Sequence, residues 1–322
     1  MILKGIDFGN VIAASGALNF FGDGYWFHEW LRRFRLLDHS GITFVAKTST
    51  LYPREGNMPL WPGTTIPKEL KPACIIVNPL KGIVLNAVGL SGPGILALLQ
   101  TGRWQKQTDP FFISFMSVDP DPKLHAFEFE QCINLLGPYL KDFQASIGLK
   151  INFSCPNVGM ELQSGDELRE KVCEFLTIGS QLGIPLIPKF NAMLPPKTAL
   201  AIAEHDACSA ICVSNAIPFG ALPEQIDWKY LFGSGPSPLA YIDSNGGALS
   251  GKPLFPIVVN WVRTAQSLGI SKPVIAGGGI LSVRDADTMI KSGAAAISLG
   301  SVFILRPWQV QSIIRYANET YS

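Results

Sequence analysis

The sequence predicts a (β/α)8 barrel, an α/β fold of the TIM-barrel type, with long inserted loops over its C-terminal mouth. Eight short apolar runs recur, each closing on a small or polar residue, and helical periodicity lies between several of them. Two long segments rich in Pro and Gly each follow the carboxyl end of a predicted strand. A length of 322 residues suits one large barrel or two ordinary domains. A doubly wound open sheet uses the same alternation with fewer strands, so a single barrel domain over residues 1–322 is expected.

The eight runs are Asn10–Ser15, Ile42–Lys47, Phe111–Met116, Ser146–Phe153, Ile184–Lys189, Ser209–Asn215, Pro273–Gly279 and Ala295–Ser301. Runs of this length, rich in Ile, Val and Ala, suit strands buried on both faces of a parallel sheet. Between them, Phe127–Leu140 places Cys132, Leu135, Leu136 and Tyr139 on one stripe, and Glu167–Leu182 does the same with Leu168, Val172, Phe175 and Leu176. Lys197–Glu204, Phe255–Leu268 and Ser282–Ser292 follow the pattern, the last with Ser282 as N-cap. The inserts are Thr48–Gly94 and Ile217–Pro253. Loops this long inside a compact domain are functional or disordered, and their aromatic and apolar content favours function.

Apolar residues make up 47% of the chain, enough for a sizeable core, and 26 basic residues balance 25 acidic ones for a net charge of +1. That balance argues against a nucleic-acid groove or a polybasic membrane surface. Neither a signal-peptide pattern nor a membrane-spanning apolar run is present, so a cytoplasmic protein is expected. None of the six cysteines lies in a C-x-x-C pair, which argues against a zinc or iron–sulfur site.

The glycines of the last quarter point to phosphate. Gly277, Gly278 and Gly279 close the seventh run, and Gly300 and Ser301 close the eighth, one helix apart. Amides at these two ends of a barrel can cradle one phosphate, on a substrate or a cofactor. Ala13–Gly16 offers small residues and free amides for a flat ring. Lys47 and Lys189 each end an apolar run, with no carboxylate at any of the eight ends, which suits an anion or an electron-rich ring. Asn86, Asn152, Asn157 and Asn215 fall at strand ends or in mouth loops, giving donors and acceptors suited to a cyclic imide or pyrimidine. Among them stands Cys155, in polar surroundings that suit a reactive thiol.

These motifs resemble the dihydroorotate dehydrogenase family over nearly the whole chain. The likeness is carried by GIDFGNVIAASGALNFFGDG at 5–24, FVAKTSTLYPREGN at 44–57, LNAVGL at 85–90, INFSCPN, IPKFN, VSNAIPFG, GGALSGKP, AGGGI and LGSVF, in family order. The resemblance implies FMN in the barrel mouth, touched by Ala14, Ser15, Gly16, Lys47, Thr48, Asn152, Lys189 and Ser214. Gly251, Gly278, Gly279, Gly300 and Ser301 would hold its phosphate. The pyrimidine would be fixed by Asn86, Gly89, Leu90, Asn152, Asn157 and Asn215, with Lys47 reaching both rings. Cys155 would take the C5 proton of (S)-dihydroorotate, delivered by the loop CPNVGMELQSG, while hydride passes to the flavin. Lys189 would stabilise negative charge on the reduced flavin.

A Cys at this place resembles the soluble branch of the family, since the quinone-linked branch carries Ser. Within that branch the implied acceptor is fumarate, or NAD through an iron–sulfur flavoprotein electron-transfer subunit. Two positions depart from the family pattern, Ser91 where an amide is usual and Ala216 where a hydroxyl is common. They leave open a dihydropyrimidine dehydrogenase-like enzyme acting on uracil or thymine, and an inert flavin-binding paralogue. A phosphosugar isomerase on the same barrel is a third alternative, disfavoured by the lack of a carboxylate base. The aromatic segment Phe20–Phe34 is expected to be either a homodimer interface or a helix packed on the outside of the barrel.

Overall fold

The computed structural model describes residues 1–153 and 165–321. A hairpin, β1 (Ile2–Leu3) with β2 (Ile6–Asp7), precedes the first parallel strand, β3 (Val11–Ala13). Helix α1 (Trp26–Arg33) follows, then β4 (Ile75–Asn78), β5 (Ile83–Asn86) and α2 (Ile95–Gln100). The barrel continues through β6 (Phe111–Phe115), α3 (His125–Leu136), β7 (Ile147–Asn152), α4 (Gly165–Gly179), β8 (Leu186–Phe190), α5 (Pro196–Ala203) and β9 (Ile211–Val213). The second insert carries β10 (Ile217–Pro218), α6 (Trp228–Phe232) and β11 (Ala248–Gly251). Then come α7 (Leu254–Ser267), β12 (Val274–Ala276), α8 (Val283–Lys291), β13 (Ala296–Leu299), α9 (Val302–Leu305) and α10 (Val310–Tyr321).

Seven parallel strands form one sheet in the order β3-β13-β12-β9-β8-β7-β6. The predicted strand Ile42–Lys47 is the eighth stave, but it is not a continuous ladder. It joins the sheet's two ends through single bridges, Ile12 with Thr43 on one side and Val45 with Phe112 and Ser49 with Phe115 on the other. Between the last two bridges the pairing slips by one residue, the signature of a bulge. Lys47 sits in that slip, and its N–H donates to the Asn19 carbonyl at 2.9 Å instead of to a neighbouring strand. The barrel is thereby closed.

Alternation along the strands sorts the side chains. Ile12, Val45, Phe112, Ile187, Cys212, Ile275 and Ala296 pack together with Leu3 and Phe8, and Phe8 stacks on Phe112 at 4.3 Å. The residues between them, such as Ile113, Leu149, Ile151 and Ile211, face the helices in the largest apolar cluster. Ser282 caps α8 as the sequence predicts, accepting from the Asp285 N–H. The helix expected over Phe127–Leu140 gives way after Leu136 to a 3-10 turn over Gly137–Asp142, where Pro138 cannot donate to the helix ladder.

The two inserts meet each other. A four-stranded antiparallel sheet runs β10-β11-β5-β4, so β5 from the first insert pairs with β11 from the second. Leu85, Leu249, Ile217 and Leu239 form a second apolar cluster beneath it. Among the described residues, no helix is long and apolar enough to cross a membrane.

Helix α1 packs against α9 through one face, with its first turn at the barrel mouth. His28 is fully buried beside Phe27 and Phe303, whereas Trp30 and Phe34 are exposed. Burial pushes the His28 imidazole down to about 4, with His39 and Arg32 adding repulsion. The unfolded chain therefore takes up a proton near pH 6.5 that the folded chain refuses until about pH 4. Stability is then complete above pH 6.5 and lost as pH falls through that window, by up to about 1.4 kcal/mol per pH unit. Urea unfolding between pH 4 and 7 should show this slope and show it reduced in His28→Phe. An unchanged slope in the variant would contradict the assignment.

Candidate active site

Two residues beyond the buried interior ring, the strands present Ala14, Lys47, Ser114, Asn152, Lys189, Ser214, Gly277 and Ser298. This layer is small or polar throughout, while the layer below is mostly apolar. Five of its members, Ala14, Lys47, Asn152, Lys189 and Ser214, line a cavity of about 300 Å³ at the barrel mouth. Ser15, Gly16, Thr48, Asn215, Gly300 and Ser301 complete its floor, and Asn86, Gly89 and Leu90 come from the first insert. Fourteen of the residues expected from sequence thus share one wall.

The floor is held by specific bonds. The Asn215 amide donates to Asn152 Oδ1 at 2.9 Å, across the ends of β9 and β7. Thr48 and Ser114 share a hydroxyl bond at 2.9 Å, and the Tyr25 hydroxyl donates to the Gly16 carbonyl at 2.9 Å. Lys47 donates to the Ser91 carbonyl and lies 4.7 Å from the centre of the Phe20 ring. Both Lys47 and Lys189 are buried. Ser15 Oγ is buried on the cavity wall without a hydrogen-bond partner among the described residues. A buried hydroxyl beside the exposed backbone of residues 14–16 fits a flat, polar-edged ring, which would supply the missing partner.

The roof carries strain. Gly89 and Leu90 both take left-handed backbone, at φ of 68° and 61°. For Leu this costs on the order of 1–3 kcal/mol, and such residues persist where neighbours fix them. Arg54 Nε donates to the Gly89 carbonyl at 2.9 Å, Asn57 N to the Val88 carbonyl at 2.9 Å, and the Asn57 amide to the Ala87 carbonyl at 2.7 Å. Ser91, read from sequence as a shorter-reaching substitute for an amide, is spent within this loop. Its hydroxyl donates to the Val88 carbonyl and accepts from the Met58 N–H. Ala216 does line the cavity.

Gly251, Gly278 and Gly279 do not line this cavity. A Cβ on Gly278 would lie 3.0 Å from Val258 Cγ2 and 3.3 Å from Leu254 Cβ, both on α7. One on Gly279 would run into the Gly251 carbonyl. These glycines let β11, the loop after β12 and the start of α7 approach one another. Cys155, Asn157 and most of the segment 155–165 lie outside the described residues; Gly165 opens α4.

Sequence reading missed Tyr25, Trp26, Phe27 and His28, which line the outer arm of the cavity. An aromatic run beside the Gly22–Gly24 turn carries no signal that separates a cavity wall from a surface helix. The cavity's carboxylate among the described residues is Glu69, on the first insert, and it is occupied in accepting the Ala73 N–H at 3.0 Å.

A sequence model of the family described as dihydroorotate dehydrogenase matches residues 2–320. Among curated relatives, the dihydroorotate dehydrogenase B (NAD(+)) catalytic subunit of Pelobacter propionicus is 29% identical, over 97% of this chain and 89% of the relative. That of Desulforudis audaxviator is 25% identical, over 92% and 83%. The putative dihydroorotate dehydrogenase A (fumarate) of Pediococcus pentosaceus is 26% identical, over 84% and 80%. In fold, the chain is similar to a dihydroorotate dehydrogenase from Eimeria tenella solved in complex with ferulenol, with a TM-score of 0.64 and 17% identity over 98% of this chain and 82% of that one. With its family's sequence pattern running from Ile2 to Thr320, the chain belongs to the dihydroorotate dehydrogenase family.

Proposed function

We propose that this chain binds FMN in the barrel-mouth cavity and oxidises (S)-dihydroorotate to orotate. The observation that carries the reading is the convergence of Lys47, Lys189, Asn86, Asn152, Asn215 and Ser214 on one cavity in a chain of this family. A flavin bound there would supply the two-electron sink that no side chain provides. Ala14, Ser15, Gly16, Lys47, Thr48, Asn152, Lys189 and Ser214 would contact its ring. Gly300 and Ser301 would hold its phosphate, with the amides of Gly251, Gly278 and Gly279 as further donors. The dihydropyrimidine would lie between that floor and the roof formed by Asn86, Gly89 and Leu90, with Asn157 as a further contact.

The chain's own groups divide the work. Asn152 and Asn215, tied to each other by a hydrogen bond, orient the pyrimidine edge. Lys189 places positive charge where negative charge develops on reduction. The roof excludes water from the reacting carbon atoms. Removal of the C5 proton is assigned to Cys155, three residues along the chain from Asn152. Two observations support a base from that segment: Glu69 is solvent-exposed on the first insert, and His28, at about 4, is a weak base near neutrality. The relatives termed catalytic subunits support electron transfer onward to a separate subunit, with fumarate as the alternative acceptor.

Equilibrium dialysis after reconstitution with FMN, followed by competition with orotate and with uracil, tests the assignment. One FMN per chain, with orotate perturbing the flavin spectrum far more than uracil, is expected. Tight uracil binding without orotate binding would replace the substrate. Cys155→Ser should lower kcat by at least about a hundredfold at neutral pH. In the wild type, activity should climb as pH rises toward the thiol's ordinary value of about 8.5. A flat wild-type profile from pH 6 to 9 would contradict a thiol base.

A further inference from the structure

The apolar ring beneath the cavity floor contains one cation. Lys150, on β7 two residues before Asn152, is 1% exposed. Its Nζ lies 3.8 Å from Cys212 Sγ and 5.1 Å from the centre of the Phe112 ring. Among the described residues no carboxylate reaches it. Burial holds its ammonium below the usual lysine range, with Cys212 opposing that shift. A thiol and a ring face offset only part of the cost of burying a charge, so stability alone does not explain a lysine here.

Its contacts run upward. Cys212 Sγ lies 3.3 Å from Ser214 Oγ, and Ser214 lines the cavity. A lysine ammonium has donors and no acceptor. If Lys150 donates to Cys212 Sγ, the Cys212 S–H is left to donate to Ser214 Oγ, and the Ser214 O–H turns away from both, into the cavity.

We propose that Lys150 is a positioning residue that, through Cys212, fixes Ser214 as a hydrogen-bond donor to an acceptor atom of the bound flavin. The chain Lys150–Cys212–Ser214 carries polarity from the barrel interior to the cofactor and favours the electron-rich reduced ring. This rests on the flavin reading above and adds to it a role for two residues that the cavity wall does not include.

The test uses FMN-reconstituted protein, measuring the FMN dissociation constant by flavin fluorescence and the midpoint potential of bound FMN. Lys150→Met and Cys212→Ala should each weaken FMN binding about tenfold, the worth of one hydrogen bond made by or polarised by a charge. Both should also make the potential more negative. In a Ser214→Ala background, Lys150→Met should add little further. Wild-type affinity and potential in Lys150→Met would overturn the proposal, as would fully multiplicative effects with Ser214→Ala. If thermal unfolding shows that Lys150→Met does not fold, Cys212→Ala alone decides, because it cuts the chain while leaving the lysine in place. Wild-type protein that takes up no FMN would instead overturn the flavin reading, and this proposal with it.

Discussion

Closure of the barrel by residues 43–49 is the constraint on which the rest of the site depends. Without it β3 and β6 would be open edges, each presenting unpaired N–H and C=O groups. The stretch closes the ring by isolated bridges with a one-residue slip, and the slip falls at Lys47. A regular strand would bond the Lys47 amide to a neighbour; here it bonds to Asn19 and joins the mouth loop to the stave. The ring in turn sets the depth at which every other strand ends, so Ala14, Asn152, Lys189 and Ser214 reach one level.

Within and above this ring the molecule accepts features that stability alone would remove. Lys47, Lys150 and Lys189 are buried, and the cavity's one carboxylate among the described residues stands on the first insert rather than at a strand end. Leu90 holds left-handed backbone, and Ser15 keeps a buried hydroxyl without a partner among the described residues. Each is costly in an empty barrel and reasonable around a ligand that is electron-rich and has many acceptors. The pairing of β5 with β11 makes the roof rigid, because each insert uses the other to satisfy its backbone.

The strands were legible because a parallel barrel buries them on both faces and leaves near-continuous apolar runs. Seven of the eight runs became strands; the eighth kept its place but lost its ladder, a slip that composition does not encode. The inserts were legible as functional loops, yet not as partners. Residues 75–78, 83–86 and 248–251 are too short for their alternation to stand out, and their pairing is fixed by where the barrel brings them. Lys47, Lys189 and the asparagines were readable because each ends a run. Tyr25–His28 were not, since an aromatic cluster beside a glycine turn reads equally as surface helix or cavity wall. The triple glycine looked like a phosphate cradle, and at Gly278 and Gly279 the structure gives a nearer cause in the approach of α7 and β11. Lys150 hid inside an apolar run, where its neighbours across the barrel are invisible in one dimension.

Coupling of a dihydropyrimidine to a flavin in this cavity is tested by the visible spectrum of FMN-reconstituted protein titrated with (S)-dihydroorotate under strict anaerobiosis. Prompt bleaching of the oxidised flavin bands is expected, with one orotate formed per flavin reduced. Flavin bands that persist through excess dihydroorotate, while a chemical reductant bleaches them, would contradict it.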